Sequence, residues 1–439
     1  METIAGFPFT GIEFTKDGAV ANAAQVADAL SMLDTEQPSD VLVLSHGWNN
    51  DMKDARDLYV DLLQHLRSSL DAGRVPGARD FAVVGVFWPS KKFADADLIP
   101  GGGAAGLGSP AADGLLIHQL EDLKGTFSAD GADAALEQAK QLVPQLNDSP
   151  RAREQFADLL RSVAPPSATD HEDATVQFFA LPGEQLMQQL SKPVLPPVPA
   201  APGGGGAARL GTPHPPGGGA AGLGSVLSGF KRSAQNLLNF TTYYQMKQRA
   251  GVVGTTGVFP VLQQLKAKGV KVHLAGHSFG GRLVTAAAMG PDGQPAVGVA
   301  TLTLLQAAYS HYGLAENYEP NKNGFFRRMV TETGVSGPVL ITHTVADKAV
   351  GTAYPLASLI AGQDSAALGD KNDRFGGMGR NGAQKTPEAS DGKLLADATQ
   401  YAFTAGKIFN LDADGIITGH SDICHDQVAD AMLTAIATT

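Results

Sequence analysis

Six short, nearly unbroken apolar runs punctuate the chain: Val41 to Gly47, Phe81 to Pro89, Val270 to Ser278, Val299 to Ala308, Pro338 to Asp347 and Lys407 to Ile417. Runs of this length without strict alternation suit strands buried on both faces. Between them apolar residues recur with a helical period, over Asn22 to Leu33, Asp51 to Ala72, Val258 to Lys268, Phe279 to Met289 and His425 to Ala437. Strand and helix in alternation predict an α/β fold, a doubly wound, mostly parallel sheet with helices on both faces. Right-handed crossovers then bring all strand C-terminal ends to one edge, where such folds build their sites.

The pattern changes between Lys91 and Gly229. Leu115, Leu116, Leu120 and Leu123 form one helical stripe, Leu136, Ala139, Leu142 and Val143 a second, and Phe156, Leu159 and Leu160 a third. Flanking them, GGGAAGLGS occurs twice, at Gly101 to Ser109 and at Gly217 to Ser225, and Pro193 to Pro216 is rich in Pro, Gly and Ala. Such composition reads as linker. The expected organisation is a core of residues 1–90 and 230–439 carrying a separable helical insertion at 91–229, a cap or lid on Gly/Pro-rich linkers.

Composition narrows the function. The 439 residues are 43% hydrophobic and 18% charged, which describes a globular chain. The net charge of −11 argues against a nucleic-acid partner, because phosphate backbones attract basic surfaces. Cys424 is the single cysteine, which excludes an internal disulfide and a Cys-rich zinc site. No apolar run is long enough to span a membrane as a helix. The N-terminus has no basic segment followed by an apolar one, so the expected compartment is the cytoplasm, with secretion by a signal-less route still compatible. Nothing in the sequence sets an oligomeric state.

The Val270–Ser278 run passes directly into the Phe279–Met289 helix through Gly276-His277-Ser278-Phe279-Gly280. A serine on a tight strand-to-helix turn needs small residues two before and two after it, and such a turn exposes the hydroxyl beside a helix N-terminus. Ser278 is therefore the candidate nucleophile. Asn410 to Gly415 begins like a calcium-binding loop, but its twelfth position would be Ser421 instead of Glu, so it is read as a turn.

HLAGHSFGGRL around Ser278, VLVLSHGW at the earlier strand end, and the later segments VADKAVG and TGHSDICH resemble the α/β-hydrolase superfamily, in its serine esterase and lipase branch. The resemblance covers the core and not the insertion. It implies a chain order of Ser, acid, His. Asp347, where the Val339–Val345 run leaves the sheet, is the favoured acid; its alternative role is the N-cap of a helix starting at Lys348. Asp364 and Asp370 are weaker candidates in a polar loop. His420 is favoured as base over His425, which falls in the first turn of the last helix if Ser421 or Asp422 caps it. The resemblance also implies oxyanion donors in the backbone N–H groups of Trp48 and Phe279. Trp48 is read either as a wall of the acyl pocket or as a core residue. His46, His277, Tyr309 and His311 are further substrate-pocket candidates, whereas His273 and His343 read as structural.

The expected function is a serine hydrolase of carboxylic esters that acts on a small-molecule or lipid ester and requires no metal or organic cofactor. Thioesterase, amidase and acyltransferase chemistry would use the same residues. The alternatives are a lipase or phospholipase working at a membrane with the insertion as lid, and a hydrolase-like binding protein without catalysis.

Overall fold

The computed structural model describes residues 2–75, 79–90, 109–164, 172, 174–191, 229–347, 349, 360, 371 and 374–439. The linker stretches at 101–108 and 193–225, the helix expected from Lys348, and Asp364 and Asp370 lie outside these residues.

Nine strands form one sheet: β1 (Glu2–Ile4), β2 (Phe7–Glu13), β3 (Asp40–Ser45), β4 (Phe81–Phe87), β5 (Lys271–His277), β6 (Thr301–Leu305), β7 (Val339–His343), β8 (Ala389–Lys393) and β9 (Ile408–Asp412). Their order is β1-β2-β4-β3-β5-β6-β7-β9-β8, and only the β1–β2 pair is antiparallel. The six apolar runs become β3, β4, β5, β6, β7 and β9. Val41 and Val43 of β3 pack into one apolar layer, and Leu42 and Leu44 into the other. This period of two feeds both faces and explains why the runs do not alternate with polar residues.

Helices cover both faces. On one lie α1 (Ala23–Glu36) and two helices met below; on the other α2 (Met52–Asp71) packs against the C-terminal helix, Asp426–Ala437. Asn22 caps α1 by accepting from the Ala24 N–H, and Asp51 and Asp54 form a capping box at α2. His425 itself occupies the N-cap position of the last helix, where Ser421 or Asp422 was expected. Strand order reverses between β3, which leads to β4 on one side, and β5, which leads to β6 on the other. Brought together in register at Ser45 and Gly276, these two strand ends form the crevice where open α/β sheets bind ligands.

In the insertion α3 (Ser109–Asp122), α4 (Ala132–Leu142), α5 (Pro150–Ser162), α6 (Thr175–Ala180) and α7 (Gly183–Leu190) form a bundle. Its stripe residues Leu116, Leu120, Leu136, Phe156 and Leu160 are buried. The bundle packs on α8 (Phe230–Val252), a long helix that the sequence pattern did not predict. Asn236 donates to the Leu190 carbonyl at 3.0 Å, and the Phe240 and Phe178 rings lie 5.0 Å apart. A π-helical turn, Val253–Val258, joins α8 to α9 (Phe259–Ala267), and both α8 and that turn pack on α10 (Phe279–Met289). The insertion and the sheet thus share one continuous apolar cluster, in contrast to the separable unit expected from composition.

Candidate active site

The turn from β5 into α10 forces Ser278 to φ 56° and ψ −125°, outside the regions an L-residue ordinarily occupies. Three main-chain bonds hold it there. The Ser278 N–H donates to the Leu305 carbonyl at 3.0 Å, and the Ser278 carbonyl accepts from Gly281 and Ala308, both at 3.0 Å. The small residues of the motif are required by close approach. A Cβ on Gly276 would lie 2.4 Å from the Gly280 oxygen, and one on Gly280 would lie 2.3 Å from the Ser45 oxygen.

The loop after β7 and the loop after β9 converge on this serine. His420 Nε2 lies 2.8 Å from Ser278 Oγ, and His420 Nδ1 lies 2.8 Å from Asp347 Oδ2. Asp347 is wholly buried, while the His420 side chain keeps 19% exposure. With Nδ1–H donated to the carboxylate, Nε2 is left as the acceptor facing the serine hydroxyl. Of the candidates above, these three are the residues that form a hydrogen-bonded chain. His425 instead pairs with Asp422 at 2.9 Å. In the calcium-loop-like run Asn410 to Asp412 end β9, and Asp414 and Gly415 lie in the turn that follows. Asp414 accepts from the Thr344 hydroxyl at 2.6 Å and the Val345 N–H at 3.0 Å, tying down the loop that carries Asp347. Among the described residues no group of side chains is arranged to hold a metal ion.

The end of β3 lies against the serine: a Cβ on Gly47 would approach the Ser278 Cβ to 2.6 Å. Among the described residues the Trp48 N–H makes no main-chain bond, and Phe279 opens α10, where N–H groups lack intrahelical acceptors. The Trp48 ring packs on Phe279 at 5.9 Å, and Tyr243 of α8 packs on the same ring at 5.1 Å.

The remaining pocket candidates have different surroundings. His46 is enclosed: its Nε2 accepts from the Trp88 N–H at 3.2 Å, so Nδ1–H donates to the Gly47 carbonyl at 2.9 Å. Burial pushes it down to about 4, so it is a neutral brace for the strand end. His277 donates Nε2–H to the His420 carbonyl at 2.8 Å, and burial pushes it down to about 3. It braces the loop of His420 from beneath. Tyr309 has no exposed surface and meets the Thr285 hydroxyl at 3.2 Å. His311 is equally enclosed and accepts at Nδ1 from Asn381 at 3.1 Å. Neither ring offers a surface to a substrate, so both are packing residues here. His273 and His343 are, as read, part of the sheet, with His273 bonded to Asp40 at 2.8 Å. Missed from the sequence was Gln306, a buried amide bonded to Asp347 Oδ2 at 3.2 Å. Its one signal is an amide side chain directly after the last apolar residue of β6.

No protein-family model, curated protein or solved structure matches the chain.

Proposed function

We propose that the protein is a serine hydrolase of carboxylic esters with an α/β-hydrolase fold. The observation that carries this reading is the chain Asp347–His420–Ser278, two contacts of 2.8 Å ending on a serine held at positive φ. In the reaction His420 Nε2 takes the Ser278 proton as Oγ attacks the ester carbonyl. Asp347 keeps the imidazole in the required tautomer and stabilises its charged form. The Trp48 and Phe279 N–H groups receive the developing oxyanion, where one such donor contributes about 3 kcal/mol. Collapse expels the alcohol, which takes its proton from His420, and water activated by the same imidazole releases the acid.

The insertion is assigned the role of a cap. Tyr243 meets Phe279 at the Ser278 end of α10, and the thirteen residues of α8 before it extend for about 20 Å. The insertion helices pack on that part of α8, which favours a position beside the strand C-terminal ends. Among the described residues no helix is long and apolar enough to cross a membrane.

Turnover of a short nitrophenyl ester tests the reading. Ser278→Ala and His420→Ala should each lose about 10⁴-fold or more, and the double variant little beyond that, because residues acting as a unit are not additive. Parent-level turnover by Ser278→Ala refutes it.

A further inference from the structure

We propose that Gln306 is a positioning residue that holds the Asp347 carboxylate in place for His420; the inference rests on the triad reading above. Gln306 follows β6 directly, next to the Leu305 carbonyl that anchors the Ser278 N–H. Its φ is 46°, a left-handed value uncommon outside Gly, Asn and Asp. Such conformations persist where the surroundings over-determine them.

The surroundings are three converging segments. Gln306 Nε2 donates to Asp347 Oδ2 at 3.2 Å and to the Gly379 carbonyl at 2.7 Å. Oε1 accepts from the Thr342 hydroxyl at 3.0 Å, and that hydroxyl oxygen accepts from the Gln306 N–H at 3.2 Å. The amide has one tolerable orientation, since a flip would aim Oε1 at a carboxylate and a carbonyl. The Gly379 carbonyl also accepts from the Thr344 N–H at 3.0 Å. A Cβ on Gly379 would sit 2.5 Å from the Gln306 carbonyl carbon, so the short helix Met378–Asn381 closes directly onto this residue. The ends of β6 and β7 and that helix therefore meet on one enclosed amide. Its N–H reaches Oδ2, the same carboxylate oxygen that faces His420 Nδ1 at 2.8 Å.

Sharing that oxygen has a chemical consequence. A donor on the carboxylate disperses its charge and weakens its pull on the imidazole proton. Without the amide the carboxylate binds the imidazolium more tightly. The base then stays protonated to higher pH, and the acidic limb of kcat/KM moves upward.

Two variants test this on a short nitrophenyl ester, with Ser278→Ala measured beside them. Gln306→Met keeps the length and removes the donor. We expect kcat to fall about tenfold to a hundredfold, the loss usual for outer partners that orient a site group. KM should change less than twofold, and the acidic limb should rise by about half to one pH unit. Gln306→Glu keeps the shape and donates only while protonated, so its activity relative to the parent should fall as pH rises. It carries the test alone if the Met variant does not fold. Profiles that parallel the parent at every pH, with only a uniform loss, overturn the inference. If Ser278→Ala retains turnover, the triad reading fails and takes the inference with it; if Ser278→Ala is inactive and the limbs do not move, the inference alone fails.

Discussion

Ser278 is held at φ 56° by main-chain bonds to Leu305, Gly281 and Ala308, a backbone state that costs of order 1–3 kcal/mol. The turn tolerates it because Gly280 lets the start of α10 touch the end of β3. Gly280→Ala would place a Cβ 2.3 Å from the Ser45 oxygen and 2.4 Å from the His46 oxygen, both fixed main-chain atoms. Relief requires moving the strand end or the helix. Denaturant unfolding should show a loss of about 2–4 kcal/mol, and a change below about 0.5 kcal/mol would contradict this packing argument. At this scale the sequence was informative where chemistry and location coincide. Ser278 stands where a strand pattern passes straight into a helix pattern, and Asp347 and His420 stand in the loops after β7 and β9. His46, Tyr309 and His311 stand in similar places, yet their side chains turn inward, and orientation at a strand end leaves no trace in spacing. Gln306 was illegible for a related reason, because a single glutamine after an apolar run looks like the first residue of a loop.

Elements were legible in proportion to how uniformly they are buried. The central strands lie between two helical layers, so their apolar runs are unambiguous. The β1–β2 hairpin was missed because its turn is Ala5-Gly6, with φ 49° and 80°, and lacks the Asn-Gly or Asp-Gly signal for that geometry. At the sheet edge, β8 reads ASDGK and is almost wholly exposed, so it has no apolar pattern. Helix α8 was hidden differently. Enclosed by the insertion on one side and α10 on the other, it buries Asn236, Thr241 and Thr242 together with Leu237 and Phe240, which erases the stripe. This has a consequence for removal of the insertion. Replacing residues 91–228 by a short linker would remove the Phe178 ring that packs on Phe240 and strip Asn236 of its acceptor at Leu190. The variant should melt well below the parent and bind a hydrophobic dye. An unchanged Tm would mean that the insertion is energetically independent of the sheet.

For the whole molecule, buried neutral histidines make stability fall with acid. His46 and His277 are pushed by burial from 6.5 down to about 4 and about 3. His273 and His343 are lowered for the same primary reason. Unfolding returns each imidazole to water and its ordinary value, so below about pH 6.5 the unfolded chain binds more protons than the folded one. Stability contributed by neutral burial is therefore complete above that pH and is lost as pH falls toward the folded values. His46 and His277 alone give a slope that approaches about 2.7 kcal/mol per pH unit near pH 5 and is smaller toward pH 6 and pH 4. Denaturant midpoints across that interval should fall steeply, and replacing His277 by Gln should flatten the slope. A midpoint constant from pH 7 to pH 4 would contradict the assignment of these rings as neutral.

The proposal that carries the rest is that Ser278 is a nucleophile activated by His420. Its most direct test is reaction with a fluorophosphonate probe, read by intact mass and peptide mapping. One adduct per chain is expected, on the peptide containing Ser278, absent in Ser278→Ala and slowed by orders of magnitude in His420→Ala. No adduct on the folded parent protein, or an adduct that persists in Ser278→Ala, would contradict it.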